Sequence, residues 1–483
     1  MSHKPHIVSM VMNGVVGDSR VIKTAQVALN AGYRATILGL SSSMTPERKE
    51  VEGVPVILLP NLWAKFKSQG LWYEGSRDLR LLVGGHLQAL IPEIVALDPD
   101  LLHSHDMIGL KLGAAAAQVM MSSGRSVPWV HDIHEFVAGL ASEIEGTALS
   151  KAYMPVCLAY EREYLHKADH CFTVSEPLAA ELESRYAIPR PTVCYNAPGK
   201  QSFDATGPDV RTTLGLSPET PLVVFVGGAT PLRGCATIVE AVLSLEGVHL
   251  CFVSQGGYVH SLKRKASEQG GGDRVHLLPY VSSDKVSSFI RTADVGIHGM
   301  VHYPNGEVAM PNKMFEYLHA RLPLVVSDVA AMKQFVTGNN IGTTFIAQNV
   351  TSCAEAIRAA LDGASAFRAR ITDDLISEYS WESQEAKIRQ VYMKLLEQPK
   401  EVSLAAREAA LLAQRLDTIE FEALYSRHLG EANLKKIGIW RNYVITPTFI
   451  DRVRFLRDKV AEEGPLRAMQ FVGSRVKRAV RGR

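Results

Sequence analysis

Short apolar runs alternate with longer stretches of helical periodicity along most of the chain. The run from His6 to Met12 reads as a strand, and a turn follows it, N-G-V-V-G-D-S-R. From Ser19 the apolar positions Val21, Ile22, Ala25, Ala28 and Leu29 share one helix face, and Ala31-Gly32 ends it. Ala35 to Leu40 is a second strand, so the chain opens with a βαβ unit. Further strands are expected near Val51–Leu59, from Leu101 into H-S-H-D, over P-W-V-H-D-I-H-E-F, over H-C-F-T-V-S and at Thr192–Tyr195. Helices are expected over Leu79–Leu97, from Gly109 to Met121, from Tyr153, and from Glu176 behind a Ser175 cap with Pro177 in the first turn. Asn61–Gly75 reads as a loop carrying Trp63, Phe66, Trp72 and Tyr73.

The stretch 198–221 is rich in Pro, Gly, Ser, Thr and Asp and reads as a linker. Beyond it the rhythm restarts, with strands at Leu222–Val226, Val248–Val253, Val275–Leu278 and Asp294–His298 and helices between them. A last helix of this series covers about Cys353–Leu361. Two separate βα series predict an α/β protein of two doubly wound domains facing across a cleft.

Within the second series, P-N-K-M-F-E-Y-L-H-A-R-L-P-L-V-V-S-D stands out. Asn312 is placed to cap a helix, Met314, Phe315 and Leu318 form its apolar side, and Leu324–Val326 form a buried strand. Lys313 and Glu316 share a face three residues apart. That pair suits a diphosphate and a ribose, and it equally suits a surface ion pair.

Composition narrows the class. The chain has 483 residues, 46% hydrophobic and 21% charged, enough for two or three domains of a soluble globular protein. No apolar run of membrane-spanning length and no signal peptide are expected. Six scattered cysteines without a C-x-x-C pair argue for a reducing cytoplasm and against a zinc site or disulfide framework. From Lys435 onward there are thirteen Lys and Arg against four Asp and Glu, a balance of +9 that leaves −7 on the preceding residues. Residues 401–432 look helical. Beyond them Ile450, Val453, Phe455, Leu456 and Val460 alternate with basic residues at helical spacing, which suits an anionic membrane surface at about 1 kcal/mol per basic residue. Packing on the acidic body is an equal alternative, and nucleic acid is not expected.

Chemistry-bearing residues gather where strands end. Gly14 and Gly17 lie between the first strand and its helix, where backbone amides can meet a phosphate or sugar, although no G-x-G-x-x-G is present. His131, Asp132, His134 and Glu135 end one strand, and His103, His105 and Asp106 end another. His131 and His134 point to opposite faces of a strand, so a metal site is not expected. The preferred reading aims His134 into the cleft, oriented by Asp132 or Glu135.

Several ordered motifs resemble the family-4-type glycosyltransferases. V-S-M…D-S-R-V, P-D-L-L-H-S-H-D, V-H-D-I-H-E-F and E-R-E-Y-L-H-K-A-D-H-C-F-T-V-S-E resemble the acceptor half. F-V-G-G…R-G-C-A-T-I-V-E-A and A-M-P-N-K-M-F-E-Y-L…L-P-L-V-V-S-D resemble the donor half, and Y-S-W-E-S-Q-E…V-Y its close. The resemblance spans about residues 5–397 and points to the subgroup with a P-N-K-x-F-E-Y motif. It implies a GT-B fold of two Rossmann-like domains: 1–198 on the acceptor side, 199–375 for the donor, 376–400 as a helix returning to the first domain, and 401–483 as a helical basic extension. It implies retention of configuration, no metal and no cofactor. Arg233 and Lys313 match residues at the donor diphosphate, Glu316 the carboxylate on the donor ribose, and His134 the histidine near the donor sugar. These four are the expected catalytic set. Gly14, Gly17, Gly227, Gly228, Gly256, Tyr280 and Val281 complete the expected donor site, with His105, Asp106, Asp132 and Glu135 on the acceptor side.

Two departures stand out. The family's upstream glutamate position is Val308, with Glu307 one residue off register, and Gly228 stands where many members have arginine. The expected function is a cytoplasmic hexosyltransferase-like enzyme, peripheral on the inner membrane face, that moves a sugar from a nucleotide-sugar to a glycan or lipid-linked acceptor of cell-surface polysaccharide or glycolipid. The alternatives are a nucleotide-sugar epimerase of the same fold and a silent scaffold.

Overall fold

The computed structural model describes residues 4–43, 45–60, 78–143, 148–200, 203, 206–397 and 401–429. The aromatic loop at 61–75 and the basic segment from 435 onward lie outside the described residues.

Two sheets form the chain's two halves. The first holds β1 (His6–Met10), β2 (Arg34–Leu40), β3 (Glu47–Val51), β4 (Val54–Leu59), β5 (Leu101–His105), β6 (Trp129–Ile133), β7 (His170–Thr173) and β8 (Thr192–Val193). Its order is β3-β4-β2-β1-β5-β6-β7-β8, parallel throughout except for β3 against β4. The second holds β9 (Leu222–Val226), β10 (His249–Val253), β11 (Val275–Leu278), β12 (Val295–His298), β13 (Leu324–Ser327) and β14 (Gly342–Phe345), all parallel in the order β11-β10-β9-β12-β13-β14. Central strands such as β9, L-V-V-F-V, are buried along their whole length because helices cover both sheet faces. The sheet order reverses between β1 and β5 and again between β9 and β12. Both reversals open crevices at the carboxyl ends of the strands.

Three expectations need correction. The single strand expected at Val51–Leu59 is a hairpin of β3 and β4 turned at Glu52-Gly53. E-R-K-E-V carries no apolar alternation because β3 is an edge strand, which charges protect from further pairing. Among the described residues one helix, Leu79–Leu97, is long and apolar enough to cross a membrane, contrary to the expectation of none. Here Leu79, Leu87, Leu90 and Ile94 are buried in the first domain's core, on which the helix packs. Asn312 does not cap its helix. Pro311 holds the cap position in extended geometry, no side chain caps it, and Asn312 is the first helical residue.

Each sheet has an apolar core on both faces. The first domain's second face is completed from far away in sequence. Helix Trp381–Leu396 returns to it and buries Trp381, Ile388 and Tyr392 with Ile7, Val130 and Phe172. The two crossings between domains lie side by side, with the Trp381 N–H donating to the Pro198 carbonyl at 2.9 Å. Helix Leu404–Leu429 then packs on helices Leu79–Leu97 and Asp106–Ser122. Lys111, buried beneath it, donates to both Asp417 carboxylate oxygens and to the Tyr164 hydroxyl, each at 2.8 Å.

Candidate active site

A cleft of about 560 Å³ separates the domains, lined by Gly17, Lys23 and Asn196 from one and by Tyr280, Asn312 and Glu316 from the other. On the second domain's side, β9 runs into Gly227 and Gly228 and then a short turn, Pro231–Arg233. Gly234 follows at φ +62°, and a Cβ there would stand 1.9 Å from the Gly299 carbonyl oxygen. Only glycine permits this approach, which holds the Arg233 loop against the end of β12. Gly234→Ala is therefore expected to displace the loop and lower stability by about 1–3 kcal/mol, as chemical denaturation would read. An unchanged midpoint would show that the loop's position is immaterial.

Lys313 comes from the first turn of helix Asn312–His319 and is 4% exposed. Its ammonium stands 4.0 Å from the Phe225 ring centroid, with no hydrogen-bond partner among the described residues. Burial, and then Arg233, push it down to about 7. Burial pushes Glu316 up to about 7, against the pull of Lys313 and Lys23. His298 at the end of β12 is buried nearby, held well below its usual value by burial and then by Lys313 and Arg233. Three cationic or cation-sensitive groups thus meet at one uncapped helix start, an arrangement that favours an anion.

Across the cleft, the Asn13 carboxamide fixes the β1 loop. It accepts from the Val15 N–H and donates to Asp18, both at 2.8 Å, while Asp18 caps helix Ser19–Asn30. Gly17 lies on the cleft wall; Gly14 sits behind it, toward Leu40. Lys23 reaches the same wall, donates to the Ala197 carbonyl at 2.8 Å and lies 4.4 Å from the Trp381 ring centroid. Burial and then Arg20 lower it to about 7, with Glu316 pulling the other way.

The histidine cluster is built on a buried ion pair. Arg20 donates to both Asp132 oxygens at 2.7 Å and to the Cys194 carbonyl at 2.7 Å. The β5–β6 register sets His105 opposite Asp132, and His105 and His134 each lie 3.5 Å from the Asp132 carboxylate. Burial alone would raise Asp132, but Arg20 and then His134 hold it well below the usual range. Burial opposes charge on His134, and Asp132 outweighs it, so that ring titrates above its ordinary value. His131 turns away, bonds the Ser104 hydroxyl at 2.8 Å, and is lowered by burial to about 3. His103 stacks on His105 at 4.2 Å and bonds Tyr392 at 2.6 Å.

The structure therefore divides the expected site. Gly17, Tyr280 and Glu316 line the cleft; Lys313 lies behind Gly227 at the start of the Glu316 helix, close enough to feel the charge of Arg233. Val281 packs on the second domain's core and Gly256 heads helix Gly257–Glu268; neither lines the cleft wall. His105 and Asp132 are fully buried, so they stand behind His134 and cannot touch an acceptor directly. Asp106 opens its helix at φ +67° and bonds the Met107 N–H, while Glu135 is held by Asn305. Glu307 is engaged too, by His302 at 2.5 Å and by the Ala330 N–H at 2.8 Å. His103, His105 and Asp132 bring ligand atoms within 4.8 Å, a spacing a metal ion could use. Arg20 occupies both Asp132 oxygens, the place such a cation would take. Sequence reasoning gave no role to Arg20, Lys23, His298 or Asn305. Only Arg20 left a trace, within D-S-R-V.

Residues 23–199 match the glycosyl transferase 4-like domain and residues 220–363 match the glycosyl transferases group 1 domain. Both halves of the chain are glycosyltransferase domains on a GT-B fold, and the protein is an enzyme of that class. An uncharacterized glycosyltransferase of Methanocaldococcus jannaschii is 24% identical over 314 residues, 62% of this chain and 76% of the relative. The D-inositol 3-phosphate glycosyltransferase of Mycolicibacterium smegmatis is 24% identical over 294 residues, 58% of this chain and 64% of the relative, so the match spans under two thirds of that protein. Among solved structures, sucrose-phosphate synthase from Thermosynechococcus elongatus superposes with a TM-score of 0.64 at 16% identity, covering 82% of this chain and 100% of its own. Anabaena HepE, solved with UDP and glucose, gives 0.58 at 15%, covering 81% and 100%.

Proposed function

We propose that the enzyme binds a nucleoside-diphosphate sugar between its domains and transfers the sugar, with retention of configuration, to an acceptor of cell-surface polysaccharide or glycolipid assembly. The observation that carries this reading is the buried Lys313 ammonium, without a hydrogen-bond partner among the described residues, beside Arg233 and Glu316. Breaking the glycosyl–phosphate bond places negative charge on the diphosphate. Lys313, Arg233 and the helix start stabilise it from fixed positions. Glu316 receives the ribose hydroxyls, Tyr280 flanks the base, and His134 meets the donor sugar. HepE, a neighbour in fold, is solved with UDP, which supports a nucleotide donor. Metal independence, a cytoplasmic location and attachment to the inner membrane face belong to the same proposal. Activity in EDTA and sedimentation with anionic vesicles test them.

Titrating UDP-, GDP- and ADP-sugars into the protein tests the donor. Failure of all three to bind would remove the reading. A release of free epimerised nucleotide-sugar without acceptor would favour the epimerase instead. The pH dependence has a defined sign. Lys313 sits near 7 in the free protein, and a bound diphosphate favours its charged form, so binding takes up a proton above pH 7. Affinity is expected to fall as pH rises from 7 to 9, by up to about tenfold per unit. Calorimetry in buffers of different ionisation enthalpy reads the uptake directly.

A further inference from the structure

The donor domain also enters the N-terminal domain away from the nucleotide cleft. Its short helix Pro304–Val308 lies against helices Val137–Glu143 and Glu176–Tyr186. Asn305, on this helix, is 5% exposed. Its Oδ1 accepts from the Phe136 N–H at 2.8 Å and its Nδ2 donates to the Glu135 carboxylate at 2.8 Å. One side chain of the donor domain thus grips the two residues that follow His134. The approach is tight: a Cβ on Gly139 would stand 2.5 Å from the Asn305 nitrogen and 2.9 Å from the Pro304 carbonyl carbon. Val308 completes the contact. Its side chain packs against the N-terminal core, and its carbonyl accepts from the Ser175 hydroxyl at 2.5 Å. Val308 is thus an interdomain packing residue.

Two sets of contacts therefore hold the His134 segment. Asp132 steadies the ring from within its own domain and persists whatever the donor domain does. Asn305 steadies the following backbone and exists only while the domains touch. A buried N–H and a half-buried carboxylate both lose a partner when they part. Glu135 feels the same balance: burial raises it, and the Asn305 hydrogen bond opposes that rise.

We propose that Asn305 is a positioning residue that couples docking of the donor domain to the placement of His134. The histidine then takes its working position only over a closed cleft, which keeps the reaction from water. The inference rests on the glycosyltransferase reading above.

The test uses the full chain with Asn305→Asp, which still accepts from Phe136 but sets a carboxylate against Glu135. The probe is whichever of UDP, GDP and ADP binds the wild type. Binding of that probe is expected to stay within threefold of wild type, because its contacts lie around Arg233 and Lys313. The kcat is expected to fall at least tenfold, and the radius of gyration by solution scattering to rise. Adding Glu135→Gln gives the introduced carboxylate an amide donor again, so the double variant should exceed N305D and approach E135Q alone. Gly139→Ala, which pushes the helices apart from the other domain, should lower kcat in the same way. Wild-type kcat in N305D, or a double variant no better than N305D, overturns the coupling. Scattering of the nucleotide-free chain reads docking without any substrate, and equal radii for wild type and N305D overturn it. A wild type that binds no nucleoside diphosphate would count against the donor reading alone.

Discussion

Replacing Asp132 with asparagine is expected to lower the stability of the N-terminal domain by about 3–5 kcal/mol, the usual cost of leaving one member of a buried ion pair alone. Arg20 is 5% exposed and gives two of its three hydrogen bonds to this carboxylate. Asparagine returns one acceptor and no charge. The same substitution should return His134 toward or below its ordinary value, because burial and Arg20 then lower it against the weaker pull of Asp106. The pH dependence follows from the direction of the Asp132 shift. Its folded value lies below the unfolded one, so the pair contributes fully above about pH 4 and is lost as acid protonates it. Chemical denaturation followed in the N-terminal domain from pH 2 to 8 would read both effects. A variant with the wild-type midpoint would mean that Arg20 finds another partner.

Lys313→Met should do the opposite to stability and more to function. The ammonium is buried without a hydrogen-bond partner among the described residues, so a thioether of similar length removes a desolvated charge and keeps the packing on Phe225. Unfolding free energy is expected to stay within about 1 kcal/mol of wild type or to rise. Nucleotide-dependent kcat/KM should fall by about 10²–10³, the scale seen when one preorganised charge-stabilising group is lost. The two signs together separate a ligand-binding lysine from a structural one. A structural lysine paired with Glu316 would lose stability on substitution and leave nucleotide affinity intact.

The βα rhythm was legible because parallel strands buried on both faces leave contiguous apolar runs, as in L-V-V-F-V. What failed was at the edges and ends. β3 is a charged edge strand, and β14, G-T-T-F, is short and half-buried, so neither carries the apolar signal that periodicity detects. Lys313, Glu316, Arg233 and Tyr280 lie on local motifs, so the sequence alone could single them out. Arg20 could not be assigned its partner, because Asp132 lies 112 positions away and nothing local records the pairing. Asn305 faces Glu135 across 170 positions for the same reason. His105 and Asp132 were rightly gathered at strand ends but wrongly exposed. A strand's carboxyl end is near the crevice, yet the β5–β6 register turns these two side chains into the body of the sheet.

The returning helix Trp381–Leu396 makes the first domain discontinuous. Residues 206–380 form one uninterrupted segment with its own sheet, while the first sheet needs Trp381, Ile388 and Tyr392 to cover one face. During synthesis the domain that emerges first therefore cannot close until the other has been made, and its uncovered apolar face waits for a helix some 180 residues downstream of Pro198, long after its own strands have left the ribosome. A chain cut before Trp381 would accordingly injure the amino-terminal domain and spare the one nearest the cut.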